Sequence, residues 1–257
     1  MNLSTLRNIT QNALRPKMLP EMLRKITLRF TEVTDEKQLD QFVENCRLNH
    51  TNAKQWAEAI DAKLWAEAVE FADKQTEYSE KILAEIPVQM GGGGFYALLY
   101  FITRVCKPNV VVETGVAAGF SSRAFLTAIK KNKNGKLVSS DFPYFRIENP
   151  EKYIGILVED ELRSQWDLVV GSDKDNLPKI TNMLSEIDIL HYDSDKSVAG
   201  RNFALDCFED KFTTNAVILF DDIQDNLHFN EYAKNKQHLI FEFNGKYVGL
   251  IPNKQLK

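Results

Sequence analysis

Apolar positions along this chain recur at two different periods, and the change of period divides it. Up to Ile86 they come at helical spacing. Leu19 to Phe30, Asp35 to Leu48 and Asn52 to Ile86 read as helices, the last carrying Trp56, Ile60, Leu64, Ala68 and Phe71 on one stripe. Pro87 closes that region. From Met90 onward short apolar runs alternate with helical stretches. Gly91 to Gly94 lead into a helix from Phe95 to Cys106, which stops at Lys107-Pro108. Strands are predicted at Val110 to Val112, Lys136 to Ser140, Asp167 to Gly171, Ile187 to Tyr192, Ala216 to Phe220, Gln237 to Phe243 and Lys246 to Ile251. Asn244-Gly245 turns the last two into a hairpin. Strand–helix repetition closed by an antiparallel hairpin predicts an α/β, doubly wound, Rossmann-like sheet over residues 87–257, with residues 1–86 as an N-terminal helical extension.

Ligands of such sheets sit beyond the carboxyl ends of the strands, so the residues that follow each apolar run are the ones to read for chemistry. The first run ends in Glu113, Thr114 and Gly115, followed by Val116, Ala117, Ala118 and Gly119. This E-x-G-x-x-x-G spacing is not the G-x-G-x-x-G of dinucleotide sites. Gly115 and Gly119 are expected to turn the chain tightly and to give a ligand room, beside the free N–H groups of the helix that starts at Phe120. The second run ends at Asp141, where a carboxylate can accept the hydroxyl hydrogens of a ribose. The fourth and fifth end in His191 to Lys196 and Phe220 to Asn226. Asp193, Asp221 and Asp222 would converge there, and three hard oxygen ligands suit magnesium or a similar divalent cation.

Composition narrows the classes of function. With 32 Lys+Arg against 36 Asp+Glu the net charge is −4, without the basic footprint of a nucleic-acid binder. The longest apolar run, Phe95 to Ile102, is far short of the roughly 20 residues that span a bilayer. Cys46, Cys106 and Cys207 are odd in number and widely spaced, which suits reduced thiols in a cytoplasmic protein, and no apolar leader begins the chain. The basic first thirty or so residues read as a solvated helix face rather than as a presequence.

The loop from Glu113 to Gly119 resembles motif I of class I S-adenosylmethionine-dependent methyltransferases. The string Asp193-Ser194-Asp195-Lys196, together with Glu113, Gly115, Val116 and Gly119, is similar to the cation-dependent O-methyltransferases of the catechol and caffeoyl-coenzyme A type. Asp222 departs from their pattern, which has Asn there, and the Asp221-Asp222 pair also resembles bacterial methyltransferases of small molecules. The resemblance covers Gly91 to Ile251. It implies S-adenosylmethionine held by Gly94, Glu113, Thr114, Gly115, Ala117, Gly119, Ser121, Ser122, Asp141, Phe142, Ser172, Asp173 and Asp193, the pair Ser172-Asp173 lying toward the adenine. It also implies a cation on Asp193, Asp221 and Asp222 that acidifies the hydroxyl of a small-molecule acceptor, with Lys196 as the base, beside Asp193, and His228 as a weaker alternative. The N-terminal helices are expected to cover the cofactor cleft or to form a homodimer contact. Other classes stay open at this stage: a metal-independent methyltransferase, a Rossmann oxidoreductase, and a cofactor-binding protein without turnover.

Overall fold

The computed structural model describes residues 3–15, 18–21, 23–24, 27, 35–86 and 90–257. Its strands are β1 (Val110–Thr114), β2 (Lys136–Asp141), β3 (Trp166–Val170), β4 (Ile187–Tyr192), β5 (Phe212–Phe220), β6 (Leu239–Phe243) and β7 (Lys246–Ile251). They form one sheet in the order β3-β2-β1-β4-β5-β7-β6. β1 to β5 pair in parallel and β7 pairs antiparallel with both β5 and β6. This is the Rossmann-like, seven-stranded topology that the strand–helix alternation and the Asn244-Gly245 hairpin predict. β5 begins earlier than expected, because Phe212 already pairs with Ile187 before the ladder shifts register.

The chain order reverses between β1 and β4, and the ladder there brings the acidic residues together. Glu113 pairs with His191 and Thr114 with Tyr192, while His191 pairs with Leu219 and Tyr192 with Phe220. One residue further on, the Asp193 N–H donates to the Thr114 carbonyl at 3.0 Å and the Asp221 N–H to that of Tyr192 at 3.0 Å. Asp193 and Asp221 therefore end neighbouring strands at the switch point, where open α/β sheets place their ligands.

Helices Glu36–Asn49 and Ala53–Leu83 start on Asp35 and Asn52, whose side chains accept from Gln38 and Gln55 N–H groups. The long apolar stripe predicts one continuous helix from Asn52. Instead Asp61 leaves helical geometry (φ −159°, ψ 98°), and its carboxylate accepts from the Lys63 and Leu64 N–H groups at 3.0 Å each. An internal N-cap thus redirects the chain so that both halves follow the core. Ala57, Trp65 and Ala68 are buried in one cluster with Leu98, Phe101, Val111 and Leu219. The hydrophobic core runs across the boundary at 86/87. Helix Glu36–Asn49 packs Phe42 and Cys46 beside β6. The Thr51 N–H donates to the Ile240 carbonyl at 2.6 Å, and the Trp56 indole to that of Leu256 at 3.3 Å. Ahead of these, Leu3–Ala13 is helical. The helix expected at Leu19–Phe30 falls largely outside the described residues, although those described within it are helical.

Candidate functional site

A cavity of about 300 Å³ opens at the switch point, walled by the loop Gly115–Ala117, Asp141, Phe142, Asp173, Asp193 and Lys196. Asp221 and Asp222 line it as well, together with Phe243, Lys246 and Val248 of the hairpin. Gly91 to Tyr96 and Glu21 complete the rim. Of the residues assigned from sequence, Gly94, Gly115, Ala117, Ser121, Asp141, Phe142, Asp173, Asp193, Lys196, Asp221 and Asp222 all meet here. Glu21, Tyr96, Phe120, Phe243 and Lys246 went unassigned. The three aromatic residues and Lys246 carry no motif, and only the hairpin topology brings the last two to the cleft.

The two loop glycines are required by the packing of the chain itself. Gly115 has φ +85°, and a Cβ on it would lie 2.6 Å from the Asp193 carbonyl oxygen. A Cβ on Gly119 (φ +95°) would lie 2.8 Å from Gly155 Cα. They let β4 and the Gly155 segment close on the loop, and of the two Gly115 also lines the cavity. Thr114 likewise faces this packing, its hydroxyl accepting from Ser194 at 3.0 Å.

Glu113 does not reach the cavity. It is fully buried and accepts from Ser122 at 2.6 Å and Ser139 at 2.8 Å, while its Oε1 has no hydrogen-bond partner among the described residues. Burial holds its carboxyl above the ordinary range, against the opposing pull of His191 and the serine hydroxyls. His191, also fully buried, stands 4.0 Å from Glu113 and 3.5 Å from Asp221. Burial favours the neutral ring, but Asp221, Asp193 and Glu113 outweigh it and raise the imidazole pKa. Glu113 and Ser122 thus support the loop from beneath. Ser172 is the N-cap of helix Asp173–Met183, accepting from the Asp175 N–H, and lies in a separate cavity of about 720 Å³ beyond Phe142, with Gly171 and Asn176. His228, the alternative base, is buried away from the cavity, its Nε2 at 3.1 Å from Asn202, and burial lowers its pKa to about 4.

Asp141 fits a cofactor role. Its carboxylate accepts from the Val116 N–H at 3.1 Å, yet it still lines the cavity. Burial pushes its pKa up to about 7, against the Val116 and Ala117 N–H groups and with help from Asp173 and Glu113. A ribose diol needs the ionised acceptor. Cofactor affinity should then weaken by roughly 10-fold or more between pH 8 and pH 5.5. Asp141→Ala should lose about 2–4 kcal/mol of binding and flatten the pH profile. Calorimetry across that range that finds constant wild-type affinity would remove Asp141 from the role.

The acids of β4 and β5 are held by ammonium groups. Lys196 is paired with Asp193 and lies 3.0 Å from Asp222, which Lys246 approaches at 3.1 Å. Although burial opposes its charge, Asp193, Asp222 and Asp221 raise the Lys196 pKa far above neutrality. Burial would raise the Asp222 carboxyl, but Lys196 and Lys246 bring it down to about 2. Asp193 moves the other way, raised by burial and by Asp221 despite Lys196. Arg201, fully buried, donates to the Asp221 and Asp222 carbonyls at 3.0 and 2.9 Å and fixes this turn, where Asp222 adopts φ +51°. Among the described residues no three His, Cys, Asp or Glu side chains are grouped to hold a metal. Lys196 stands between two of the three expected ligands, and Asp221 is turned to His191. The donor set does not fit a divalent cation, and a lysine held protonated does not fit a base.

Residues of the extension reach the same cleft. Asn12 donates to the Phe145 and Ile147 carbonyls at 2.8 and 3.0 Å, just past Asp141 and Phe142. Arg24 grips Glu21 at 2.6 Å and Asp195 at 2.7 Å.

Residues 112–223 match a family described as a methyltransferase domain. No curated protein sequence matches the chain. Among solved structures, a Staphylococcus aureus protein assigned as a caffeoyl-CoA O-methyltransferase superposes with a TM-score of 0.54 at 11% identity, over 73% of this chain and 100% of its own. A Klebsiella pneumoniae protein assigned as an O-methyltransferase gives 0.52 at 12% identity over 71% and 89%. A methyltransferase from Geobacter sulfurreducens gives 0.51 at 20% identity over 70% and 89%. At these identities the likeness is one of fold. No described helix is long and apolar enough to cross a membrane.

Proposed function

We propose that this protein, a class I S-adenosylmethionine-dependent methyltransferase by its domain and fold, carries the methyl group to an oxygen of a small-molecule acceptor without a divalent cation. The observation that carries the reading is the pairing of Asp193 with Lys196 in the same cavity that Asp141 lines. S-adenosylmethionine, when bound, supplies an electrophilic sulfonium methyl. Asp141 would hold the ribose, and the cavity beyond Phe142 has room for the adenine. The carboxylate of Asp193, made more basic by burial, takes the acceptor's hydroxyl proton as the new oxygen–carbon bond forms and the sulfur–carbon bond breaks. The Lys196 ammonium stabilises the charge that gathers on the oxygen. The sulfonium charge and the Asp193 charge disappear together, so the step leaves the net charge of the cleft unchanged. The N-terminal residues, through Asn12 and the Arg24–Asp195 pair, serve in this reading as a cover over the cleft.

Two measurements test it. Calorimetry should show binding of S-adenosylmethionine and of S-adenosylhomocysteine, but not of NAD. A methyl-acceptor screen should find oxygen methylation of phenols or diols that survives excess EDTA with less than about a twofold change. Turnover abolished by chelation and restored by magnesium would return the aspartates to a metal role.

A further inference from the structure

The geometry points to a second compartment for the acceptor, on the far side of the glycine strap Gly91–Gly94 from the cofactor cavity. A cavity of about 640 Å³ lies between that strap and helix Ala53–Leu83, with apolar walls that include Trp65, Val69, Ala72 and Leu83. It shares Gly91 to Tyr96, Phe120 and Phe243 with the cofactor cavity. Two stacked aromatic pairs stand at this shared wall: Phe95 on Phe243, centroids 4.6 Å apart, and Tyr96 on Phe120, 5.3 Å apart. Between them the strap bears no side chain. Among the described residues, a Cβ on Gly93 would meet nothing within 4 Å, and one on Gly92 only the Phe120 ring at 3.7 Å. The volume suits a ring with a short chain.

We infer that the acceptor is an amphipathic molecule: its hydroxyl-bearing ring lies beside Asp193, and an uncharged alkyl or aryl body passes the strap into this compartment. The inference rests on the oxygen-methylation reading above and adds the substrate class. Burial of apolar carbon supplies the affinity. The described lining carries two acidic side chains, Asp73 and Glu80, and no basic one, so a tail ending in a carboxylate is disfavoured.

The test uses catechol, 4-hexylcatechol and the carboxylate-ended analogue 6-(3,4-dihydroxyphenyl)hexanoate with the full-length protein. Affinity is read by calorimetry and by quenching of tryptophan fluorescence, and turnover is read separately. The hexyl compound should bind at least about 30-fold more tightly than catechol and at least about tenfold more tightly than the carboxylate. Val69→Trp and Thr76→Trp, which fill the compartment from exposed positions on the helix that line it, should each cut the hexyl advantage to about threefold or less. A hexyl advantage below threefold in the wild type, or one unchanged in both tryptophan variants, overturns the compartment. Tight hexyl binding without methyl transfer to oxygen upholds the compartment and removes the reaction assigned above, so the two readings fail separately.

Discussion

Asp193→Asn should lower kcat about 10²–10⁴-fold while cofactor affinity stays within a few fold. The amide keeps the shape and one hydrogen-bond acceptor but cannot take the proton that leaves the acceptor oxygen. Lys196→Met should also slow the reaction, by about 10²–10³-fold, for a different reason: the growing negative charge on the oxygen loses its ammonium partner. The two variants separate in their pH profiles. Asp193→Asn removes the dependence of kcat on an acidic group, whereas Lys196→Met leaves that limb in place and moves it upward, because the ammonium that lowers the Asp193 carboxyl is gone. If Asp193→Asn retains kcat within fivefold, Asp193 is not the proton acceptor. If Lys196→Met abolishes an alkaline limb present in the wild type, lysine is the base after all.

Gly115→Val should unfold the protein far more readily than it perturbs any ligand. The substitution puts a β-branched residue at φ +85° and drives its Cβ toward the Asp193 carbonyl oxygen 2.6 Å away, on backbone that the Asp193 N–H ties to Thr114 just past β4. A cost on the order of 2–4 kcal/mol follows, a fall in Tm of roughly 5–15 °C for a chain of this size. Gly93→Ala, at φ +79° but in open space, should cost only the backbone term, on the order of 1–2 kcal/mol. Differential scanning calorimetry on the pair distinguishes clash from conformation. Equal losses in the two variants would mean that the contact at Asp193 carries no weight.

What the chain discloses in one dimension follows from which interactions are local. The strand cores of β1, β4 and β7 are legible because buried parallel or hairpin strands need unbroken apolar runs, and Asn244-Gly245 marks its own turn. Asp141 and Asp193 are legible for the same reason, since each ends such a run. The break at Asp61 is not, because an aspartate inside an apolar stripe looks like any solvated helix position until its carboxylate is seen capping Lys63 and Leu64. The failure at the expected metal site has a comparable origin. Sequence aligns Asp193, Asp221 and Asp222 at neighbouring strand ends, but Lys196 folds back three positions to stand among them, and Lys246 arrives from a hairpin far along the chain. Charge balance at that point is a tertiary property. Glu113 is the instructive case: the motif position is right, yet its role is to hold Ser122 and Ser139 under the loop rather than to touch what binds above it.

The joint between the N-terminal helices and the hairpin has a consequence for how the protein is made. Trp56 packs at a tilt against Phe241, ring centroids 5.0 Å apart, and bonds to a carbonyl 200 positions later, and Thr51 completes a backbone bond with Ile240 on β6. A ribosome adding about 5–20 residues per second leaves that tryptophan without its partner for roughly 10–40 s. The nascent helices emerge early and stay sticky, and holdase chaperones have their longest opportunity on this stretch. Refolding from denaturant should be correspondingly slow, because the joint closes a loop that spans most of the chain.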